Sequence, residues 1–115
     1  VGNKNFNDAL LTEKLKIYPK NIILERKEPN NNIKKWHSNP YWTKVNIYNN
    51  GPVESYLTLK GNGKEVELGS FLTPEERISL KKLIDDTLFK LSSVNFSRYS
   101  NNFLIFVFII INNYF

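Results

Sequence analysis

The sequence predicts an α+β domain: an antiparallel sheet of about six strands closed by one C-terminal amphipathic helix. Three observations carry this. Short alternating apolar–polar runs follow one another from residue 15 to residue 68, separated by Pro, Asn and Gly, which is how half-buried antiparallel strands read. The period then lengthens to that of a helix over residues 74–91. Finally, 115 residues are enough for one modest core and too few for two domains.

The runs are Leu15–Ile17, Ile22–Lys27, Ile33–His37, Val45–Ile47, Tyr56–Lys60 and Glu65–Leu68. Pro19-Lys20-Asn21 closes the first, and Pro29 with three asparagines closes the second. Asn49-Asn50-Gly51-Pro52 ends the fourth, and Gly61-Asn62-Gly63 makes a tight hairpin between the last two. The two glycines around Asn62 are expected to supply the positive φ of that turn. In the last three runs, Val45 and Ile47, Leu57 and Leu59, and Val66 and Leu68 sit two apart, so each pair shares a face. Lys44, Asn46, Thr58, Glu65 and Glu67 are expected to face water.

Thr73-Pro74-Glu75-Glu76 starts the helix. Thr73 caps, Pro74 suits the first helical position, and Glu76 closes a capping box. Leu80, Leu83, Ile84, Leu88 and Leu91 form the apolar stripe that lies on the sheet. Gly69 allows a sharp exit from the sixth strand, while Phe71 and Leu72 staple the helix start into the core. Arg77 is expected to pair with Glu75 or another nearby acid on the surface.

The charge is +5, and all of the excess lies in residues 1–60, with ten Lys or Arg against five acids. Cysteine is absent and histidine occurs once, which excludes disulfides, thiolate metal sites and His-rich ligand sets. No metal or cofactor is implied. Methionine is absent as well, which suggests a processed protein, an excised domain or a gene fragment. Residues 1–10 are polar and read as a linker or juxtamembrane segment, and residues 11–91 as the domain. The tail, residues 92–115, is atypical: Phe103 to Ile111 are nine apolar residues in a row, against roughly 20 for a membrane-spanning helix. AT-rich DNA read out of frame gives such residues, so the tail reads as lying outside the ancestral domain.

Chemistry-bearing residues are few. His37 is the one side chain with a pKa suited to general-base work near neutrality, yet Ser38 beside it points to the opposite face of a strand. The acids Glu65/Glu67 and Asp85/Asp86 lack a turn or third ligand for a metal; the second pair has Lys81, Lys82 and Lys90 as ion-pair partners on the helix. GNGK at 61–64 has neither the spacing of a phosphate loop nor a helix after it. The stretch WHSNPYW, residues 36–42, gathers both tryptophans and the histidine. Pro40 cannot donate to a ladder and Asn39 favours a side-chain-closed turn, so the stretch reads as a corner. Its aromatics Trp36, Tyr41 and Trp42 are expected to plug the end of the sheet. With His37 and Asn39 they are also the place where a ligand would bind.

Together, WHSNPYWTKVNIY (36–48), LTLKGNGKEVELGSFL (57–72) and TPEERISLKKLIDDTL (73–88) resemble a bacterial family labelled domain of unknown function 2244, small inner-membrane proteins. The resemblance falls on Trp36, Asn39, Pro40, Tyr41, Trp42, Gly63, Glu67, Gly69, Phe71, Leu72, Pro74, Glu75, Glu76 and Arg77, and spans about residues 10–91. It implies two membrane spans before Val1, a pleckstrin-homology-like layout, and no known activity. The apolar tail departs from the pattern.

If a span ends just before Val1, Lys4, Lys14 and Lys16 favour the cytoplasmic side and meet anionic headgroups there. The expected function is thus a non-catalytic interaction domain on the cytoplasmic face of the inner membrane. Its partners would be the membrane surface, another membrane protein or a second copy of itself. The alternatives are a single-stranded nucleic-acid module using Trp36, Tyr41, Trp42 and flanking lysines, and a soluble enzyme using His37.

Overall fold

The computed structural model describes residues 10–92 and 108–114. The strands are β1 (Leu10–Tyr18), β2 (Asn21–Lys27), β3 (Ile33–Ser38), β4 (Lys44–Tyr48), β5 (Tyr56–Gly61), β6 (Lys64–Glu67) and β7 (Phe108–Tyr114), with helix α1 (Pro74–Ser92) after β6. The chain is α+β, as expected, but the six strands β1–β6 do not form one sheet. They form two antiparallel meanders of three, β1-β2-β3 and β4-β5-β6. The break falls at Asn39–Thr43, where the chain turns through a 3₁₀ segment and offers no ladder to continue. β7 pairs antiparallel with the other edge of β1, Leu10 opposite Tyr114 and Lys16 opposite Phe108. The predicted polar linker lies almost wholly outside the described residues, as do residues 103–107 of the apolar run.

β1 begins five residues before the predicted Leu15. Its alternation runs Leu11, Glu13, Leu15, Ile17, all buried, and a carboxylate in second place hides the pattern from a hydropathy reading. Leu15 and Ile17, with Ile22, Leu24 and Trp36, join Leu57, Leu59, Leu68, Leu80 and Ile84 in a single apolar cluster. Full burial of each such aliphatic side chain contributes about 1.5–3 kcal/mol. Helix α1 packs on β4, β5 and the 3₁₀ corner. Its capping box is formed: the Thr73 amide donates to Glu76 Oε1 (2.8 Å) and the Glu76 amide to Thr73 Oγ1 (3.1 Å).

Four local expectations are corrected. Leu83 is 46% exposed, because the helix meets the sheets along Leu80, Ile84, Thr87 and Leu91. Thr58 is 2% exposed; it lies on the central strand and gives its hydroxyl to Glu65 Oε2 (2.6 Å), which also accepts from Tyr48 (2.7 Å). In the hairpin, positive φ belongs to Asn62 (55°) and Gly63 (73°), as a type I′ turn requires. Gly61 is there for space: a Cβ would lie 2.3 Å from Ser38 Oγ. Arg77 is buried and makes no surface ion pair. Its Nε donates to the Ser55 carbonyl (2.9 Å), one terminal nitrogen to Glu54 (2.7 Å) and the other to Leu72. It thereby holds the β4–β5 loop, where Ser55 has a φ of 54°, against the helix start.

Candidate functional site

The corner at residues 36–42 divides its aromatics between inside and outside. Trp36 sits on the core face of β3, 6% exposed, and its indole N–H donates to the Gly61 carbonyl (3.2 Å). That bond crosses from the first sheet to the second. Asn39 Oδ1 accepts from the Tyr41 amide (2.9 Å) and caps the 3₁₀ turn, with Pro40 buried in the first position. Thr43 Oγ1 donates to the Asn39 carbonyl (2.7 Å) and is hydrogen-bonded to Ser38 Oγ (2.9 Å). Tyr41 and Trp42 are exposed, Trp42 by 66%, so they do not plug the sheet. His37 is exposed on the outer face of β3, while Ser38 is buried on the other. The five predicted binding residues therefore do not converge.

A different set does converge. Between the two sheets lies a cleft of about 200 Å³. Leu24, Trp36 and Val66 form its apolar wall, and Glu13, Arg26, Lys34, Lys35, Lys64 and Glu67 supply its charges. The register explains the gathering: Glu13 is opposite Arg26, Arg26 opposite Lys34, and Leu24 opposite Trp36, so all five project from the inner face. The I′ hairpin delivers Lys64 to the same mouth from the second sheet.

Glu13 forms the floor, 1% exposed. Its Oε1 accepts from the Gly69 amide (2.9 Å), at the point where a φ of 70° lets the chain leave β6 sharply. Its Oε2 has no hydrogen-bond partner among the described residues and lies 3.6 Å from an Arg26 terminal nitrogen. Burial pushes the Glu13 carboxyl above its ordinary range. The Gly69 amide and the Arg26 guanidinium pull it back in part, while the Glu67 charge adds to the rise. Arg26 also stands over the Phe71 ring, 5.9 Å from its centroid. At the rim, Lys34 pairs with Glu28 (3.3 Å), and Lys64 is exposed with no ion pair among the described residues.

The outer face of the first sheet has another character. Cross-strand rows place Lys14, Glu25 and Lys35 side by side, Thr12, Lys27 and Ile33 next to them, and Lys16, Ile23 and His37 beyond. Four lysines thus share one face with Glu25, which pairs with Lys35 at 3.6 Å. Of the residues expected at a membrane surface, Lys14 and Lys16 lie on this outer face; Lys4 lies outside the described residues.

A family model described as an integral membrane protein, DUF2244, matches residues 3–88. The chain belongs to this family. No curated protein and no solved structure shows a significant match to it. The DUF2244 match takes in both meanders, the corner, the cleft and nearly all of α1. Among the described residues of this DUF2244 chain, no helix is long and apolar enough to cross a membrane, and no group of three His, Asp or Glu side chains could hold a metal ion. Sequence reasoning missed Glu13 and Arg26 as site residues and met Lys34 only as a flanking lysine of the nucleic-acid alternative. The signal was available in one case, since Leu11-x-Glu13-x-Leu15-x-Ile17 puts a carboxylate on an otherwise apolar face. Nothing local announced that Lys64 would join it.

Proposed function

We propose that this DUF2244 chain is a non-catalytic domain that lies against the anionic cytoplasmic face of the bacterial inner membrane through the outer face of β1-β2-β3. The observation that carries this is the row of Lys14, Lys16, Lys27 and Lys35 on one sheet face with a single acid among them. A flat cationic face is the shape an anionic bilayer meets with least deformation, and each lysine near the surface contributes on the order of 1 kcal/mol. Membership of an integral membrane family supports the location. Two antiparallel meanders followed by a helix is also a pleckstrin-homology-like layout, a likeness of topology alone. The nucleic-acid alternative is weakened because Trp36 is buried, leaving Tyr41 and Trp42 as the exposed aromatics of the corner.

Flotation of the chain with liposomes tests the reading. Co-flotation is expected with phosphatidylglycerol-containing vesicles and not with pure phosphatidylcholine, and it should fade as salt rises. The double variant Lys14→Glu, Lys35→Glu should abolish it. Binding indifferent to lipid charge and salt would remove the proposal.

A further inference from the structure

The cleft between the sheets is built unlike the rest of the core. An aliphatic residue at position 13 would continue the Leu11, Leu15, Ile17 alternation, and replacing a buried ion pair by packed apolar side chains is often neutral or stabilising. Instead a carboxylate occupies the floor, with one oxygen left without a hydrogen bond among the described residues. An unsatisfied buried acceptor costs the desolvation of that atom, and a ligand donor placed on it recovers this cost. Arg26 stands 3.6 Å from that oxygen, and with Lys34, Lys35 and Lys64 it makes four cations in the lining against Glu13 and Glu67. Arg26 presents a fork suited to two oxygens of one anion, and the lysines offer point charges at the rim. The apolar wall of Leu24, Trp36 and Val66 suits a short methylene link. A space of about 200 Å³ admits only a small group, below the usual size of drug-like pockets.

We infer that this cleft binds a small phosphate ester bearing an N–H or O–H donor, the chemistry of a phosphoethanolamine group, whether on a lipid or free in solution. The phosphoryl oxygens meet Arg26, Lys34 and Lys64, and the donor meets Glu13 Oε2. A bare anion answers only the rim and is repelled by the floor; a quaternary ammonium brings charge but no N–H. The carboxylate thus selects among phosphates by leaving its own acceptor unpaired with the wrong one. Apart from Lys35, which lines the cleft's rim and also belongs to the lysine row, the site lies on the opposite face of the sheet from that row, and its test does not depend on membrane binding.

Titration of the ¹⁵N-labelled chain, followed at the Trp36 indole N–H and the Gly69 amide, reads the site directly. O-Phosphoethanolamine should shift both signals saturably. Phosphocholine and inorganic phosphate, at matched ionic strength, should bind about tenfold more weakly or worse, since a hydrogen bond to a charged group is absent. Lys64→Ala, at an exposed position, should weaken O-phosphoethanolamine several-fold with the spectrum otherwise unchanged, and Glu13→Gln should erase the preference over phosphocholine. Bicelles with phosphatidylethanolamine in place of phosphatidylcholine separate the sources. The same shifts there place the ligand on a lipid, and shifts with the free ester alone place it in solution; either upholds the chemistry. Equal affinity for all three probes, or no saturable shift at millimolar concentrations, overturns it. Comparison of probes on the unmodified chain keeps the test decisive even if Glu13→Gln fails to fold.

Discussion

Two buried charges, Glu13 on β1 and Arg77 in the first turn of α1, are treated in opposite ways. At the helix start, Arg77 has all three of its nitrogens on backbone carbonyls, those of Ser55, Glu54 and Leu72. At the mouth between the sheets, Glu13 has one oxygen on Gly69 and the other without a hydrogen bond. A completed network fixes one arrangement of the chain, whereas an incomplete one retains binding capacity at the expense of stability. The helix start is therefore built for stability, and the cleft keeps the binding capacity that the proposed ligand would use.

The comparison is broken most easily at Arg77. Truncation to alanine should leave three carbonyls without their charged donor and cost about 3 kcal/mol or more by urea denaturation; a loss under about 1 kcal/mol would mean that Arg77 is no clamp. Next in size is Gly61→Ala, which drives a methyl group into Ser38 Oγ across the junction of the two sheets, with an expected cost of about 1–3 kcal/mol. Gly63→Ala meets open space and only the penalty of a positive φ, about 1 kcal/mol. Equal losses at the two glycines would deny that the sheets are locked together at Gly61.

Smaller still is Glu13→Gln, expected to change stability at neutral pH by no more than about 1 kcal/mol and in the stabilising direction, because burial disfavours the ionised carboxylate while Arg26, 32% exposed, keeps water when its partner is lost. The pH dependence sharpens this. Burial raises the Glu13 carboxyl above its ordinary value of 4.5, so the folded state holds the proton more tightly than the unfolded chain. Its contribution is complete below that ordinary value and is lost as pH rises through the folded one. Glu65 runs the other way. Hydrogen bonds from Thr58 and Tyr48 lower its carboxyl, so its contribution is present above 4.5 and is lost as pH falls. Since glutamine resembles the protonated acid, both variants should track the parent at low pH. As pH rises, the parent should lose stability relative to Glu13→Gln above 4.5 and gain it relative to Glu65→Gln on approaching 4.5 from below. The two differences therefore have opposite signs. A parallel response would show that the two carboxylates share one environment.

Much of the fold is written locally. The alternation in Ile22–Lys27 and Tyr56–Gly61, the Asn62-Gly63 turn and the Thr73–Glu76 box each need only neighbours in sequence, and all were legible. The split into two sheets was not, because it depends on where the chain goes after Asn39. The site was less legible still. Trp36 and Trp42 are six residues apart and look alike, yet one lies in the core and the other in solvent. Glu13 reads as a solubilising charge until the partner strand places Arg26 beside it, and Arg77 reads as a surface charge until the β4–β5 loop folds over it.

The bond between Glu13 and Gly69 also has a consequence in time. Within β1–β3 and within β4–β6 every ladder joins consecutive strands, and hairpins of that kind close within about 1–10 microseconds. The Glu13–Gly69 contact spans 56 positions and waits for both meanders to form, since loop closure must precede its reward. The cleft is thus the last part of this core to assemble: variants of Glu13 should alter the rate of unfolding and leave that of folding almost untouched.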